Sequence, residues 1–282
     1  MTEAPRPPAG PRPAPVPAAA PGPDAGTGLS PELERALRAL AARDPLLVAL
    51  DFDGVVSELV DRAEDARPVP ANAAALAELA GREGVHTALV SGRALDSLVR
   101  VASPPEATLL IGSHGAERRL GPDAPPLELD AAQRRALAAV GAVLEEVAAR
   151  YPDSWVEHKP AGRVLQVRLA ADAGAKRRAV AEAEAALAGM EGIHVGHGKD
   201  VLEVSVVRAD KGQGLDLLRE ATGAKAVLFA GDDVTDEHAF ARLDPDRDVG
   251  IKVGEGPTAA RFRIDGPAEL AAVLEAVARW RP

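Results

Sequence analysis

The chain has 282 residues, 46% of them hydrophobic, and a formal net charge of −10. That length admits one large or two ordinary domains around a sizeable core, and the acidic balance disfavours nonspecific nucleic-acid or anionic-membrane partners. Cysteine is absent, which excludes disulfides and thiolate metal sites and fits the reducing cytoplasm, the expected location.

In residues 1–28, MTEAPRPPAGPRPAPVPAAAPGPDAGTG, proline recurs every two or three positions. Such a segment lacks regular backbone donors and has little to bury, so a disordered, semi-extended tail is expected; the prolines also interrupt any signal-peptide core. No apolar run further on approaches a membrane span, and no membrane partner is expected. Ser30 then reads as an N-cap, with Pro31 at the first helical position and Leu33, Leu37 and Leu40 at helical spacing.

Short apolar runs alternate with amphipathic stretches after that. LLVAL (46–50), VHTALV (85–90), TLLIG (108–112), AVLFAG (226–231) and VGIKV (249–253) predict strands. PANAAALAELA (70–80), ALDSLVRVA (94–102), KGQGLDLLREA (211–221) and DEHAFARL (236–243) predict helices. Continuous apolar strands between helices imply a parallel sheet covered on both faces, a Rossmann-like doubly wound α/β core. The middle differs. A long Ala-rich helix over 130–149 precedes SWVEHK (154–159) and RVLQVRL (163–169), a helix over 173–188, then IHVG (193–196) and VLEVSVV (201–207). VLQVRL and VLEVSV alternate, as strands covered on one face do. An inserted α+β cap domain is therefore expected over 116–207, with the core split into 29–115 and 208–282.

In open parallel sheets ligands bind beyond the carboxyl ends of the strands. The first strand ends in Asp51-Phe52-Asp53-Gly54, the second in Ser91-Gly92-Arg93, the third in Gly112-Ser113-His114-Gly115, and the fourth in Gly231-Asp232-Asp233, with Asp236 close behind. Lys211 opens a helix and can add a cation at the same rim. Gathered carboxylates bind a hard cation such as Mg2+ through oxygen, while a hydroxyl, a lysine and backbone N–H groups suit phosphate oxygens. One carboxylate can attack phosphorus, and a second can move the proton. Taken singly, each motif is a weak signal: Ser91 as a turn residue, Gly-Asp-Asp as a turn with a cap, Lys211 as a solvated charge. Their order at successive strand ends points to phosphoryl transfer.

In that order the sequence resembles the haloacid-dehalogenase-like phosphatases. The resemblance implies Asp51 as nucleophile and Asp53 as general acid and base. It also implies the phosphoryl group on Gly54, Ser91, Gly92 and Lys211, and Mg2+ on the Asp51 side chain, the Asp53 carbonyl and Asp232, with Asp233 and Asp236 nearby. SGRALDSL (91–98), GSHGAE (112–117), VEHKPAG (156–162), GKDVLEVSVVRADKG (198–212), GDDVTDEHAF (231–240) and KVGEGPTAARF (252–262) further resemble the trehalose-6-phosphate phosphatase family. That likeness implies a small-molecule sugar phosphate as partner. Its hydroxyls would be gripped by Glu157, Lys159, Arg168 and Glu203 of the cap beside Arg93 and His114 of the core. Many members carry a His where this chain has Gln166. The implied activity is Mg2+-dependent hydrolysis of trehalose 6-phosphate through an aspartyl phosphate, by a protein expected to be monomeric. Rival readings are a phosphatase of sucrose phosphate or a mannosyl phosphoglycerate, a receiver-like phospho-accepting switch, and a noncatalytic sugar-phosphate binder.

Overall fold

Side chains on a strand alternate between the two faces of its sheet, and β1 (Leu46–Leu50) shows what that means here. Leu46, Val48 and Leu50 enter one apolar cluster, Leu47 and Ala49 the other, and all five are buried. The computed structural model describes residues 28–121, 127–170, 172–198 and 200–281. The proline-rich tail expected over 1–28 lies outside them except for Gly28.

The elements run α1 (Pro31–Ala41), β1, α2 (Pro70–Ala80), β2 (Val85–Val90), α3 (Leu95–Ala102), β3 (Leu109–Gly112), β4 (Glu117–Arg119), α4 (Ala131–Arg150), β5 (Trp155–Lys159), β6 (Gly162–Gln166), α5 (Ala173–Leu187), β7 (His194–Gly198), β8 (Val201–Ser205), α6 (Lys211–Thr222), β9 (Ala226–Gly231), α7 (Glu237–Phe240), β10 (Val249–Val253), β11 (Phe262–Ile264) and α8 (Leu270–Trp280). Seven strands form one sheet in the order β11-β10-β9-β1-β2-β3-β4, parallel except for β4. Residues of α1, α2, α3 and α8 fill the cluster on one face, those of α6 and α7 the cluster on the other. This is the doubly covered α/β core that the apolar runs predict.

The second sheet has four strands, β5-β6-β8-β7, all antiparallel. Leu165, Leu202 and Val204 pack on one side of it against Val140, Leu144 and Val147 of α4 and Ala179, Ala183 and Leu187 of α5. The alternation in VLQVRL and VLEVSV thus reads correctly as one covered face. Opposite residues in the ladder share a face, so Trp155, Glu157, Lys159, Gly162, Val164, Gln166, Val201, Glu203 and Ser205 line the other.

Four elements depart from expectation. The core sheet takes in Glu117–Arg119, beyond the core–cap boundary drawn after residue 115, because β4 folds back on β3; its Glu-Arg-Arg has no apolar signal to reveal a strand. The helix expected over 236–243 is confined to Glu237–Phe240, since Asp236 is drawn into a 3-10 turn over Val234–Asp236. Strand β11 and helix α8 have no counterpart among the expected elements.

Candidate active site

Parallel pairing places the ends of β1, β2 and β9 side by side: Leu50 opposes Leu89 on one flank and Ala230 on the other. The residues just past each of these strands therefore meet at one rim. Asp51 is buried there. One of its oxygens accepts the Phe52 N–H at 2.6 Å, and the other accepts the Lys211 ammonium at 2.6 Å. Lys211 reaches the rim as the first residue of α6, whose start is fixed by Asp210 accepting from the Gln213 N–H. The same ammonium donates to Asp236 at 2.7 Å.

Asp236 is fully buried. Its second oxygen accepts from the N–H groups of Asp232 and Asp233, 3.0 Å each. Gly231 permits this approach, because a Cβ there would lie 2.4 Å from the Asp236 carboxyl carbon. Gly54 makes a similar allowance. Its φ is +73°, and a Cβ would fall 2.1 Å from an Asp232 oxygen. The turn after Asp53 is thereby packed directly against the acid that ends β9, and Asn72 ties that turn down by donating to the carbonyls of Val56 at 3.2 Å and Pro267 at 2.9 Å.

Carboxylate oxygens of Asp51, Asp232 and Asp236 lie within 4.8 Å of one another. Burial and the charges of neighbouring acids push the Asp232 carboxyl up to about 7. Burial raises Asp51 well above the ordinary range, despite Lys211, with Asp236 and Asp232 adding to the rise. Lys211 goes the other way from what burial favours, its ammonium held by Asp51 and Asp236. Three crowded oxygen donors with one lysine between two of them have room for more positive charge. The donor set, all oxygen, fits a hard divalent cation. Asp236 rather than Asp233 completes this cluster; Asp233 is exposed and caps the 3-10 turn after β9.

The other expected residues fall into two groups. Ser91 is buried at the end of β2, its hydroxyl accepting the Arg93 N–H at 3.2 Å. Gly92 lies against His114, whose ring would be 2.4 Å from a Cβ. Arg93 holds Asp53 by two bonds of 2.6 Å, donates to the Ala63 carbonyl and lies over the Phe52 ring. On the cap, Lys159 donates to Glu203 at 2.6 Å and to the Gly92 carbonyl at 2.9 Å. His114 Nε2 is 3.3 Å from the other Glu203 oxygen. Burial would raise the Glu203 carboxyl, but the His114 hydrogen bond and Lys159 hold it down at about 2. Glu157 pairs with Gln166 rather than with Lys159, accepting its side-chain N–H at 2.9 Å. Arg168 stacks over Trp155 and donates to the Asp61 carbonyl of the core at 3.3 Å. The cap face thus touches the core rim at both ends.

Lys252, which opens KVGEGPTAARF, and Asn72 carry no role in the sequence-based expectations. Lys252 donates to the Asp232 carbonyl; a charge inside the apolar run VGIKV is a signal for it.

Residues 49–268 match the family model described as trehalose-phosphatase. The chain is 36% identical over 270 residues to the trehalose-phosphate phosphatase of Mycobacterium avium, covering 88% of this chain and 66% of that protein. It is 36% identical over 275 residues to that of Mycobacterium tuberculosis H37Rv, again covering 88% of this chain and 66% of that protein. It thus spans just under two thirds of these relatives. In fold it is similar to the C-terminal domain of Candida albicans trehalose-6-phosphate phosphatase, with a TM-score of 0.73 at 18% identity over 88% of this chain and 97% of that one. A haloacid dehalogenase-like hydrolase from B. subtilis is also similar, with a TM-score of 0.59 at 14% identity over 81% of this chain and 98% of that one. Because the family match runs unbroken from β1 through the cap to the segment after β11, this chain belongs to the trehalose-phosphatase family.

Proposed function

We propose that this protein hydrolyses trehalose 6-phosphate to trehalose and phosphate, with Mg2+ as cofactor. The observation that carries the reading is the buried Asp51–Lys211–Asp236 array beside Asp232. It sets three carboxylates and an ammonium together from two strand ends and a helix start far apart in sequence, as a nucleophile, a phosphate-binding cation and a metal site would require.

Asp51, Asp232 and Asp236 would hold the cation, which supplies charge neutralisation for the transferred phosphoryl group. An Asp51 carboxylate oxygen attacks phosphorus, and the bond to the sugar oxygen breaks. That oxygen takes a proton from the Asp53 carboxyl and leaves as a hydroxyl. The Ser91 hydroxyl and the Lys211 ammonium stabilise the equatorial oxygens as charge shifts among them. Asp53, now a carboxylate, accepts a proton from the water that attacks the aspartyl phosphate. The bond between phosphorus and Asp51 breaks, and phosphate is released. For the acid step Arg93 gives up one of its two bonds to Asp53, and hydroxyls near the ester oxygen offer it new acceptors.

The cap face supports a sugar as the leaving group. Glu157, Lys159 and Glu203 line it, with His114 opposite, and acids and lysines of this kind bind polyol hydroxyls by charge-assisted hydrogen bonds. The receiver-like alternative has no use for that face. Sucrose phosphate and mannosyl phosphoglycerate remain competitors at the level of substrate. Phosphate release from trehalose 6-phosphate, sucrose 6-phosphate, mannosyl phosphoglycerate and glucose 6-phosphate decides among them. The reading requires kcat/KM for trehalose 6-phosphate to exceed the others, and a better substrate in that panel replaces it.

A further inference from the structure

Asn72 is fully buried and spends its side chain on distant segments of the chain. It is the third residue of α2, a place where an Asn ordinarily serves its own helix end. Here its amide nitrogen faces three carbonyls elsewhere. Two belong to the turn after Asp53, Val55 at 3.4 Å and Val56 at 3.2 Å, and the third is Pro267 at 2.9 Å, just before α8.

The other end of the amide is left idle. Its oxygen is buried without a hydrogen-bond partner among the described residues. Turning the amide over would aim that oxygen at the three carbonyls, acceptor against acceptor, so the orientation is fixed. An unpaired buried acceptor is destabilising, and an apolar side chain of the same size would avoid the penalty. The donor end is therefore what this position is for.

The turn that it holds carries the reacting groups. The N–H groups of Val55, Val56 and Ser57 converge on the Phe52 carbonyl at 3.4, 3.0 and 2.8 Å, which curls the chain tightly. Gly54 lies in the same turn, against the Asp232 carboxylate, and Asp232 shares its space with Asp51 and Asp236. On the far side, Pro267 leads into α8, whose Leu270, Val273 and Leu274 are fully buried, so the anchor is rigid. A turn released from Asn72 shifts Asp53 and Gly54 together, relative to Asp232.

We propose that Asn72 is a positioning residue for phosphoryl transfer: by clasping the turn to the start of α8 it fixes the Asp53 proton donor and the backing of Asp232 at once. This rests on the reading given under Proposed function and adds to it a residue that touches neither substrate nor cation.

Asn72→Leu nearly keeps the volume and removes the donors and the idle oxygen together. Its kcat for trehalose 6-phosphate is expected to fall about ten-fold or more, with KM little changed. The Kd for Mg2+, read by calorimetric titration of the substrate-free protein, is expected to rise about ten-fold. A merely structural residue would lower Tm and leave both quantities where the wild type has them. Asn72→Ser, smaller and so free of any clash, carries the same test if the leucine variant does not fold. A folded variant with kcat or the Mg2+ Kd at the wild-type value overturns this inference and leaves the functional reading standing. A wild type that neither binds Mg2+ nor hydrolyses trehalose 6-phosphate overturns that reading and this inference with it.

Discussion

Lys211 and Asp51 stand 160 positions apart in the chain and 2.6 Å apart in space, both buried. The ammonium is shared with Asp236, so a single cation holds the first strand of the core, the helix after the cap and the turn after β9. Removing it leaves two buried carboxylates facing each other.

Lys211→Met should therefore destabilise the fold by about 3–5 kcal/mol, the cost of stranding a buried charge. Adding Asp236→Asn should recover part of that loss by removing one of the stranded acids. Urea unfolding of the single and double variants checks both statements. Full stability in the single variant would show that the array does not hold the rim together.

Asp51→Asn takes away the carboxylate oxygen that attacks phosphorus in the proposed mechanism, while preserving shape. Turnover should drop by about 10^3-fold or more, with the circular dichroism spectrum unchanged. Rapid acid quench of the wild type should trap phosphate on Asp51, and the variant should trap none. Near-normal turnover in the variant would remove Asp51 from the nucleophile role.

Asp51, Asp232 and Asp236 crowd their oxygens within 4.8 Å. Mg2+ should stabilise the protein through them. At a hundred times its Kd the gain is about 2.7 kcal/mol, or roughly 5–10 °C in Tm for a chain of this size. A chelator should reverse the shift, and Asp232→Asn should reduce it strongly. A shift of equal size in that variant would place the ion elsewhere.

The core was legible because burial on both faces leaves a plain mark: LLVAL, AVLFAG and VGIKV are apolar almost throughout, and each delivers its polar residues at the carboxyl end. Elements without that mark stayed hidden. Strand β4 is Glu-Arg-Arg, and β11 has three residues. The site was legible as a set of residue types, not as a set of partners. Nothing in SGR states that Arg93 clasps Asp53, because that bond joins positions 40 apart. Asp236 could have been ranked above Asp233 from its spacing: four residues after Asp232, it returns to accept that residue's N–H. Gln166 stood out in sequence as a departure from the family, but its bond to Glu157 is a property of packing alone.

Glu203 supplies a pH signature. Its carboxyl is held at about 2, down from 4.5, despite burial, by the His114 hydrogen bond and Lys159. A depressed folded-state value means stability that is fully present above the unfolded value and lost as pH falls through the folded one. Glu203→Gln should thus melt below the wild type at pH 6, with the gap closing as pH drops from 4.5 toward 2. Scanning calorimetry across that window provides the check; a gap independent of pH would mean that the carboxylate charge is not what matters.

The chain leaves the core after β4 and comes back through the residues before α6, so the four-stranded sheet hangs from two tethers rather than one. One of them is stitched to β3, and the other ends where Asp210 caps the helix that presents Lys211. Two anchor points define an axis, and rocking about that axis is the movement both permit. Any such rotation would pull on the residue next to Lys211, and so would link the orientation of the four-stranded sheet to the ammonium at the rim of the other sheet.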